Sequence, residues 1–157
     1  MRAMKPFQVR VARPSDRDNL AHLRHALWPE SSIADHAKEL DLLLAGKALG
    51  ILPAIAFVAE ANDAALLGFL EAGLRSHADG CDPFHPVGYV EGWYVTEAHR
   101  RQGIGVALLR AAEDWARTQG CTEMASDTQL NNVLSQHAHE SLGFQIAERS
   151  ILYRKPL

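Results

Sequence analysis

The segment from Tyr89 to Leu109, YVEGWYVTEAHRRQGIGVALL, leads from an apolar, strand-like run through a basic, glycine-spaced turn directly into a helix-like run. The first turn of such a helix has free backbone N–H groups and the positive end of the helix dipole, and both favour an anion. Gly103 and Gly105 let the backbone come close to a ligand, and Arg100 and Arg101 add charge suited to phosphates. The junction therefore predicts a phosphate-binding loop, although a tight solvated turn would use the same residue types.

Hydrophobic periodicity on both sides of this loop predicts a mixed α/β layer fold in the order β-α-α-β-β-β-α-β-α-β-β. The runs 54–60 and 66–75 predict an antiparallel hairpin. Ser32, with Asp35 three residues later, predicts the capped start of a helix that ends at Gly46. The other predicted strands are 7–12, 88–96, 121–127, 144–149 and 150–155, and the other predicted helices are 14–28, 104–120 and 131–142.

Length and composition bound the organisation of the chain. With 157 residues, 47% of them hydrophobic, the chain suits one domain, 1–157. The longest apolar run, 48–59, is about a dozen residues, well under the ~20 that cross a bilayer. Segment 1–14 has basic residues without an apolar region behind them, so we expect no secretory signal and a cytoplasmic location. A net charge of −3 is untypical of a nucleic-acid binder and suits a cationic partner.

Cysteines and histidines give no sign of a disulfide or a metal site. Cys81 and Cys121 are expected to be free or buried thiols in a reducing compartment. The eight histidines include no HxxxH or HExxH spacing, which is the pattern that places two ligands on one face of a helix. We therefore predict no metal.

The pattern R-x-x-G-x-G, placed between a strand and an amphipathic helix, resembles the acetyl-CoA signature of the GCN5-related N-acetyltransferase (GNAT) superfamily. The element order is similar to that superfamily over nearly the whole chain. The resemblance implies a central, mostly antiparallel sheet with a splayed strand pair, flanked by helices, and acetyl-CoA as co-substrate. In such proteins the loop amides hold the coenzyme pyrophosphate, and the strand before the loop pairs with the pantetheine arm.

The closing segment NNVLSQHAHESLGF is a second mark of the superfamily, and it adds residues near the coenzyme. The resemblance implies coenzyme contacts at Trp93, Tyr94, Val95, Arg100, Arg101, Gln102, Gly103, Ile104, Gly105, Val106, Asn131, Asn132 and Ser135.

Four short segments resemble more narrowly the aminoglycoside 6′-N-acetyltransferases: LWP at 27–29, GCD at 80–82, EGWYV at 91–95 and EMASDT at 123–128. This resemblance implies acetyl transfer to the 6′-amine of aminoglycoside antibiotics, an antibiotic-resistance activity and, by analogy, a homodimer. It implies drug contacts at Trp28, Glu91 and Asp127. A core tryptophan and structural carboxylates would explain the same three residues.

The chemistry of amine acetylation requires a group that removes a proton. An alkylammonium of pKa ~10 is about one part in a thousand free base at neutral pH, so it must lose its proton before it attacks the thioester. Glu91 and Asp127 can bind the ammonium and draw that proton off, directly or through a water. The acidic loop residues Asp79 and Asp82 are expected to border the same pocket and attract a polycation. Backbone N–H groups of the splayed strand can stabilise the oxyanion.

His139 stands where the superfamily usually has a tyrosine that protonates the leaving sulfur, four residues before the glycine of the final GF. An imidazole with a pKa of ~6.5 can donate a proton near neutrality, so His139 is a candidate general acid. A hydrogen-bonding residue on a helix face is the alternative role.

The substrate is less constrained than the coenzyme, since acetyltransferases with this loop accept different amines. One alternative is an acetyltransferase of peptides, polyamines or other small amines. Another is a non-catalytic acyl-CoA-binding sensor, against which Glu91 and Asp127 argue.

Overall fold

The computed structural model describes residues 6–46 and 52–157. The first residues of segment 1–14 and the start of the apolar run 48–59 therefore lie outside the described residues. Among the helices in the described ranges, none is long and apolar enough to cross a bilayer.

Five strands and four α-helices make up the regular structure of the described residues. The strands are β1 (Phe7–Val11), β2 (Ala54–Ala61), β3 (Leu66–Arg75), β4 (Val87–Val95) and β5 (Met124–Ser126). The helices are α1 (Arg17–Leu27), α2 (Ile33–Leu44), α3 (Ile104–Thr118) and α4 (Val133–Ser141). The predicted helices and the first four strands are confirmed to within a few residues. The predicted cap of α2 is also confirmed, since the Ser32 hydroxyl accepts a hydrogen bond from the Asp35 amide at 3.1 Å.

The sheet has the strand order β1-β2-β3-β4-β5. Its first four strands are antiparallel neighbours, and β5 is parallel to β4. The two last strands pair only where Gly88, Tyr89 and Val90 meet Met124, Ala125 and Ser126, whereas β4 continues to Val95. The predicted splayed strand pair is therefore present, with its fork just beyond Val90 and Ser126.

A β-bulge lies at this fork. Glu71 of β3 pairs with Gly92, and the next residue, Ala72, pairs with Val90, so Glu91 is an extra residue in β4. As a result Val90 and Trp93 pack on the same side of the sheet, in the core under α3.

The two faces of the sheet carry separate cores. Under α3, Leu70 and Val90 pack against Leu108. On the other face, Phe69 packs with Leu20 of α1 and with Leu40 of α2 in the same buried cluster. This arrangement gives every side chain of the fork one of two environments, the α3 side or the α1–α2 side.

The two predicted closing strands, 144–149 and 150–155, are wrong for this chain. Residues 145–157 form no regular structure, and Ile151, Leu152 and Tyr153 are 73%, 89% and 90% exposed. Alternating apolar residues make a strand only where a neighbouring strand offers hydrogen bonds, and none pairs with this segment. For the same reason β5 is shorter than the predicted 121–127, because only three residues of β4 pair with it.

Candidate active site

The predicted phosphate loop connects β4 to α3. Gly103 is the N-cap of α3 and has a φ of 81°, a left-handed conformation that favours glycine. The Nε of Arg100 donates to the Val95 carbonyl at 3.0 Å, and the Gln102 amide donates to the Ala98 carbonyl at 3.2 Å. These contacts shape the loop from within, while no side chain caps the first amides of α3. The free amides remain available to an anion.

Gly105 also lies close to the sheet, and its predicted coenzyme contact stays a prediction. A Cβ at this position would lie 3.3 Å from Cζ2 of Trp93, so the glycine lets α3 approach β4. The indole of Trp93 is thereby held between the helix and the strand, and its Nε1 is buried without a hydrogen-bond partner. Ile104, which is fully buried, fixes the start of the helix to the core.

His139 of α4 lies against the α3 side of the fork. Its Nδ1 is 2.7 Å from the Ser135 carbonyl oxygen and 3.3 Å from the Ser135 hydroxyl. Its Nε2 is 2.8 Å from the hydroxyl of Ser126, the last residue of β5. The rings of Trp93 and Phe144 stand edge-on to the imidazole, with centroids 5.5 and 5.2 Å away. Both nitrogens of the imidazole therefore have partners, and two aromatic rings pack against it.

The N-terminus of α4 is held by Asn132. Its side-chain oxygen accepts a hydrogen bond from the Ser135 amide at 3.1 Å, which is a helix N-cap. Asn131 beside it is exposed. Asn132 thus positions the helix that carries His139.

A cavity of about 630 Å³ opens on the α1–α2 side of the sheet. Trp28, at the C-terminal end of α1, forms one wall and packs on Gly92. The guanidinium of Arg24 lies 5.2 Å from the centre of the indole ring. The described residues that line the cavity include one guanidinium, that of Arg24, and four carboxylates, those of Glu30, Glu39, Glu71 and Glu91. The cavity is acidic and bordered by an aromatic ring, which suits a cationic ligand.

Glu71 is buried in the cavity wall and paired with Arg24. The Arg24 Nη2 donates to Glu71 at 3.2 Å and its Nη1 to Glu39 at 2.9 Å. The Nε of Arg24 lies 2.9 Å from the other Glu71 oxygen, an ion-pair distance without the alignment of a hydrogen bond. Burial raises the pKa of the Glu71 carboxyl to about 7, although Arg24 opposes the shift.

Glu91 and Asp127 lie close to Tyr89 at the end of the cavity nearest the fork. Arg75 pairs with Glu91 at 3.1 Å and stacks on Tyr89, with its guanidinium carbon 3.4 Å from the ring centre. Burial raises the pKa of Tyr89 to about 12, the nearby Asp127 carboxylate adds to the shift, and Arg75 opposes it. The position beside Glu91 that the Arg75 guanidinium occupies is therefore suited to a cation.

His139 and Asp127 lie on opposite faces of the fork. Met124 packs in the core under α3, and Ala125 packs with Tyr89 on the other face. Since side chains alternate along a strand, Ser126 lies on the α3 side with His139, and Asp127 follows on the side of Tyr89.

A model of the acetyltransferase (GNAT) family matches residues 20–144, which is most of the chain. The chain belongs to this family. The resemblance that the sequence suggests, and the fold that it implies, are thus confirmed.

Curated and solved relatives of this acetyltransferase carry a more specific name. An aminoglycoside N(6′)-acetyltransferase type 1 of Klebsiella aerogenes is 43% identical over 149 residues, which cover 95% of this chain and 96% of the relative. The structure of AAC(6′)-Iy in complex with a bisubstrate analogue, CoA-S-monomethyl-acetylneamine, is 32% identical with a TM-score of 0.86, and the match covers 96% and 99% of the two chains. The apo structure of the 6′-N-acetyltransferase AAC(6′)-IG of Acinetobacter haemolyticus is 36% identical with a TM-score of 0.84, at the same coverage.

The structure brings together some of the predicted site residues of this acetyltransferase and leaves others apart. Trp28 and Glu91 line one cavity, and Asp127 lies near Tyr89 beside it. Asp79 and Asp82 are outside the cavity lining. The Asp82 carboxylate accepts a hydrogen bond from the Phe84 amide and contacts the His85 ring, and Asp79 lies 3.4 Å from His77. Both aspartates are therefore engaged within their own loop, and their drug contact stays a prediction.

Sequence reasoning missed Ser126, Tyr89, Arg75, Arg24 and Glu71. Glu71, the lone carboxylate in the apolar run LLGFLEAGL that precedes Arg75, was a usable signal, because a buried charge needs a partner. The roles of the others depend on contacts between distant elements, such as Arg75 with Glu91, and left no local pattern.

Proposed function

We propose that this acetyltransferase transfers the acetyl group of acetyl-CoA to the 6′-amine of aminoglycoside antibiotics. The observation that carries the proposal is the acidic cavity walled by Trp28, on the face of the sheet opposite α3 and ending at the fork beside Glu91. A polycation fits this lining better than a neutral or anionic substrate does, since its four carboxylates face two guanidiniums, those of Arg24 and Arg75. The names of the relatives at 43% and 32% identity support the same substrate.

Acetyl-CoA, which is consumed as a substrate, fits the α3 side of the fork. The uncapped amides of α3 and the left-handed Gly103 suit its pyrophosphate. Beyond Val90 the edge of β4 is free of β5, which leaves backbone groups of Trp93, Tyr94 and Val95 for the pantetheine arm. We infer that the loop from Arg100 to Val106 binds the phosphates through its backbone, and that Ser135, Asn131 and Asn132 border the arm.

Glu91 and Asp127 are proposed to receive the proton of the substrate ammonium. Glu91 already pairs with one cation, the guanidinium of Arg75, at 3.1 Å. An ammonium that displaces this contact would lie between Glu91 and the Tyr89–Asp127 pair. Either carboxylate can then take the proton, directly or through a water, and the free amine attacks the thioester carbonyl. Backbone N–H groups of the splayed part of β4 are the proposed donors to the oxyanion.

We infer one catalytic domain, 1–157, in the cytoplasm, with a cationic drug rather than nucleic acid or a membrane as its partner. The net charge of −3 and the two free cysteines, Cys81 and Cys121, support this environment.

The C-terminal segment 145–157 supports a homodimer. Its apolar residues Ile151, Leu152 and Tyr153 are exposed in the single chain, although the sequence pattern favours strands. We propose that a second copy of the chain covers this segment. Light scattering should give a dimer for the native protein and a monomer for the double variant Ile151→Glu, Leu152→Glu; a native monomer would contradict the proposal.

Regiochemistry tests the substrate assignment. Kanamycin A, with an amine at the 6′ position, should be acetylated there, whereas paromomycin, with a hydroxyl at that carbon, should be acetylated poorly. A hydroxyl lacks the charge that Glu91 and Asp127 bind, and its proton is far less acidic. Mass spectrometry and NMR of the products decide the matter. Equal turnover of both drugs, or acetylation at another amine, would refute the assignment. Turnover of spermidine or a peptide alone would favour a different amine, and coenzyme binding without any turnover would favour a sensor.

A further inference from the structure

The hydrogen bonds of His139 fix where its proton resides. Nδ1 lies 2.7 Å from the Ser135 carbonyl oxygen, which can only accept. Nδ1 must therefore carry a hydrogen, and in the neutral ring Nε2 is left as the acceptor. The group facing Nε2 at 2.8 Å is the Ser126 hydroxyl. A proton that enters or leaves His139 thus does so at Nε2, by way of Ser126.

Ser126 is the residue of this pair that stands at the fork. It is the last residue of β5 that pairs with β4, opposite Val90, and the strands diverge immediately beyond it. It faces the α3 side, where the coenzyme loop lies, whereas Asp127 follows on the side of the acidic cavity. The imidazole stands behind Ser126, enclosed by Trp93 and Phe144.

We propose that Ser126 is the catalytic residue that delivers a proton to the leaving sulfur of acetyl-CoA, and that His139 is the positioning residue that replaces this proton. The inference rests on the proposed acetyl transfer. It differs from direct protonation by His139, because the Ser135 carbonyl holds one ring nitrogen and Ser126 covers the other.

The proposed step is the breakdown of the thioester and the protonation of its sulfur. The substrate ammonium first gives one proton to Glu91 or Asp127. Its nitrogen then forms the new C–N bond and gives a second proton to water, which leaves the single N–H of the amide. The C–S bond breaks and its electron pair stays on sulfur. The Ser126 hydroxyl transfers its hydrogen to sulfur while the protonated His139 gives its Nε2 hydrogen to the Ser126 oxygen. The neutral imidazole keeps its Nδ1 hydrogen on the Ser135 carbonyl and regains a proton from water.

The groups that contact His139 beside the proton path through Ser126 are uncharged. The side chains of Ser126, Ser135, Trp93 and Phe144 contact the ring, and none of these is charged. The nearest titratable residues along the chain are Glu140 and His137, both on α4, while Asp127 lies on the other face of the fork.

The test uses Ser126→Ala, with Ser126→Thr as the conservative variant that keeps the hydroxyl. The matched control is Ser141→Ala, which removes an exposed hydroxyl from the same helix as His139. We expect Ser126→Ala to lower kcat by on the order of 10²-fold, the usual scale of general acid–base help, with Ser126→Thr restoring most of it. At a pH below the thiol pKa of CoA, calorimetry should give unchanged CoA affinity for all three variants.

Two spectroscopic readouts separate this role from a structural one. Ultraviolet titration of enzyme-bound CoA reports the pKa of its thiol, which should rise by about one unit in Ser126→Ala, because a hydrogen bond to a charged group is lost. Nitrogen-15 NMR of the free enzyme, at a pH where the ring is neutral, should place the hydrogen of His139 on Nδ1.

Three results would overturn the proposal: hydrogen on Nε2 of neutral His139, an unchanged thiol pKa in Ser126→Ala, or a loss of kcat in His139→Gln that Ser126→Ala does not share. If the native protein binds CoA and acetylates no aminoglycoside, the proposed function fails. The thiol titration and the NMR measurement still decide the role of Ser126 in that case.

Discussion

Replacing Gly92 with alanine should displace Trp28 from the wall of the acidic cavity. A Cβ at Gly92 would lie 2.7 Å from Cζ2 of Trp28 and closer still to Cη2. Carbon atoms attract each other best at about 3.5–4.0 Å, so the indole must move by about 1 Å or more. Its freedom is limited, because Phe69 and His36 pack around it with ring centroids 6.1 and 6.2 Å away.

The displacement has an expected magnitude in both stability and rate. Overfilling a packed site costs about 1–3 kcal/mol of unfolding free energy. A substrate-positioning group moved by about 1 Å can cost on the order of 10²-fold in rate, so we expect a fall of that size in kcat/KM for kanamycin A. The dissociation constant of acetyl-CoA should not change, because Trp28 and α3 lie on opposite faces of the sheet.

Steady-state kinetics, calorimetry and urea unfolding of Gly92→Ala measure these quantities. Gly73→Ala on the neighbouring strand is the matched control for stability, because its Cβ would meet its nearest neighbours, Glu91 and Pro53, at an ordinary 3.7 Å. A folded Gly92→Ala protein with native kcat/KM for kanamycin A would show that Trp28 does not position the drug.

Three further predictions concern the coenzyme loop, the carboxylates and the buried ion pair. Gly103→Val should weaken acetyl-CoA binding by about tenfold, because valine avoids a φ of 81° at a cost of about 1–3 kcal/mol, and coenzyme binding must then restore the loop; calorimetry checks this. At least one of Glu91→Gln and Asp127→Asn should lower kcat/KM by on the order of 10²-fold, and full activity of both from pH 6 to 9 would place proton removal elsewhere. Burial raises the pKa of Glu71 from 4.5 to about 7, so between these values the folded state holds a proton that the unfolded state has lost. Stability should therefore fall as pH rises through this window, by up to about 1.4 kcal/mol per pH unit, and urea unfolding of Glu71→Gln should lack this slope.

Local sequence signals predicted the parts of the fold that local interactions determine. The glycine pattern of the loop predicted a conformation that favours glycine, and Gly103 is left-handed. The apolar spacing of α3 predicted one buried helix face, and that face packs on the sheet. The segment 150–155 has an equally clear pattern and forms no strand, because the pattern cannot supply a partner strand. For the same reason the pairing of Glu71 with Arg24, across 47 positions of sequence, could not be predicted, although a lone carboxylate in this strand signals a buried charge with a partner.

The β-bulge at Glu91 shows why the assignment of residues to the two substrates requires the structure. Strict alternation along β4 would place Tyr89, Glu91 and Trp93 on one face. The extra residue instead leaves Glu91 on the side of the acidic cavity and turns Trp93 toward α3. A single inserted residue thereby turns the indole of Trp93 to the α3 side, while Glu91 stays on the face of Tyr89 and lines the cavity. Gly92, beside the bulge, leaves room for Trp28 over the strand. Without the bulge, the side chains of Glu91 and Trp93 would lie on one face of the sheet instead of two.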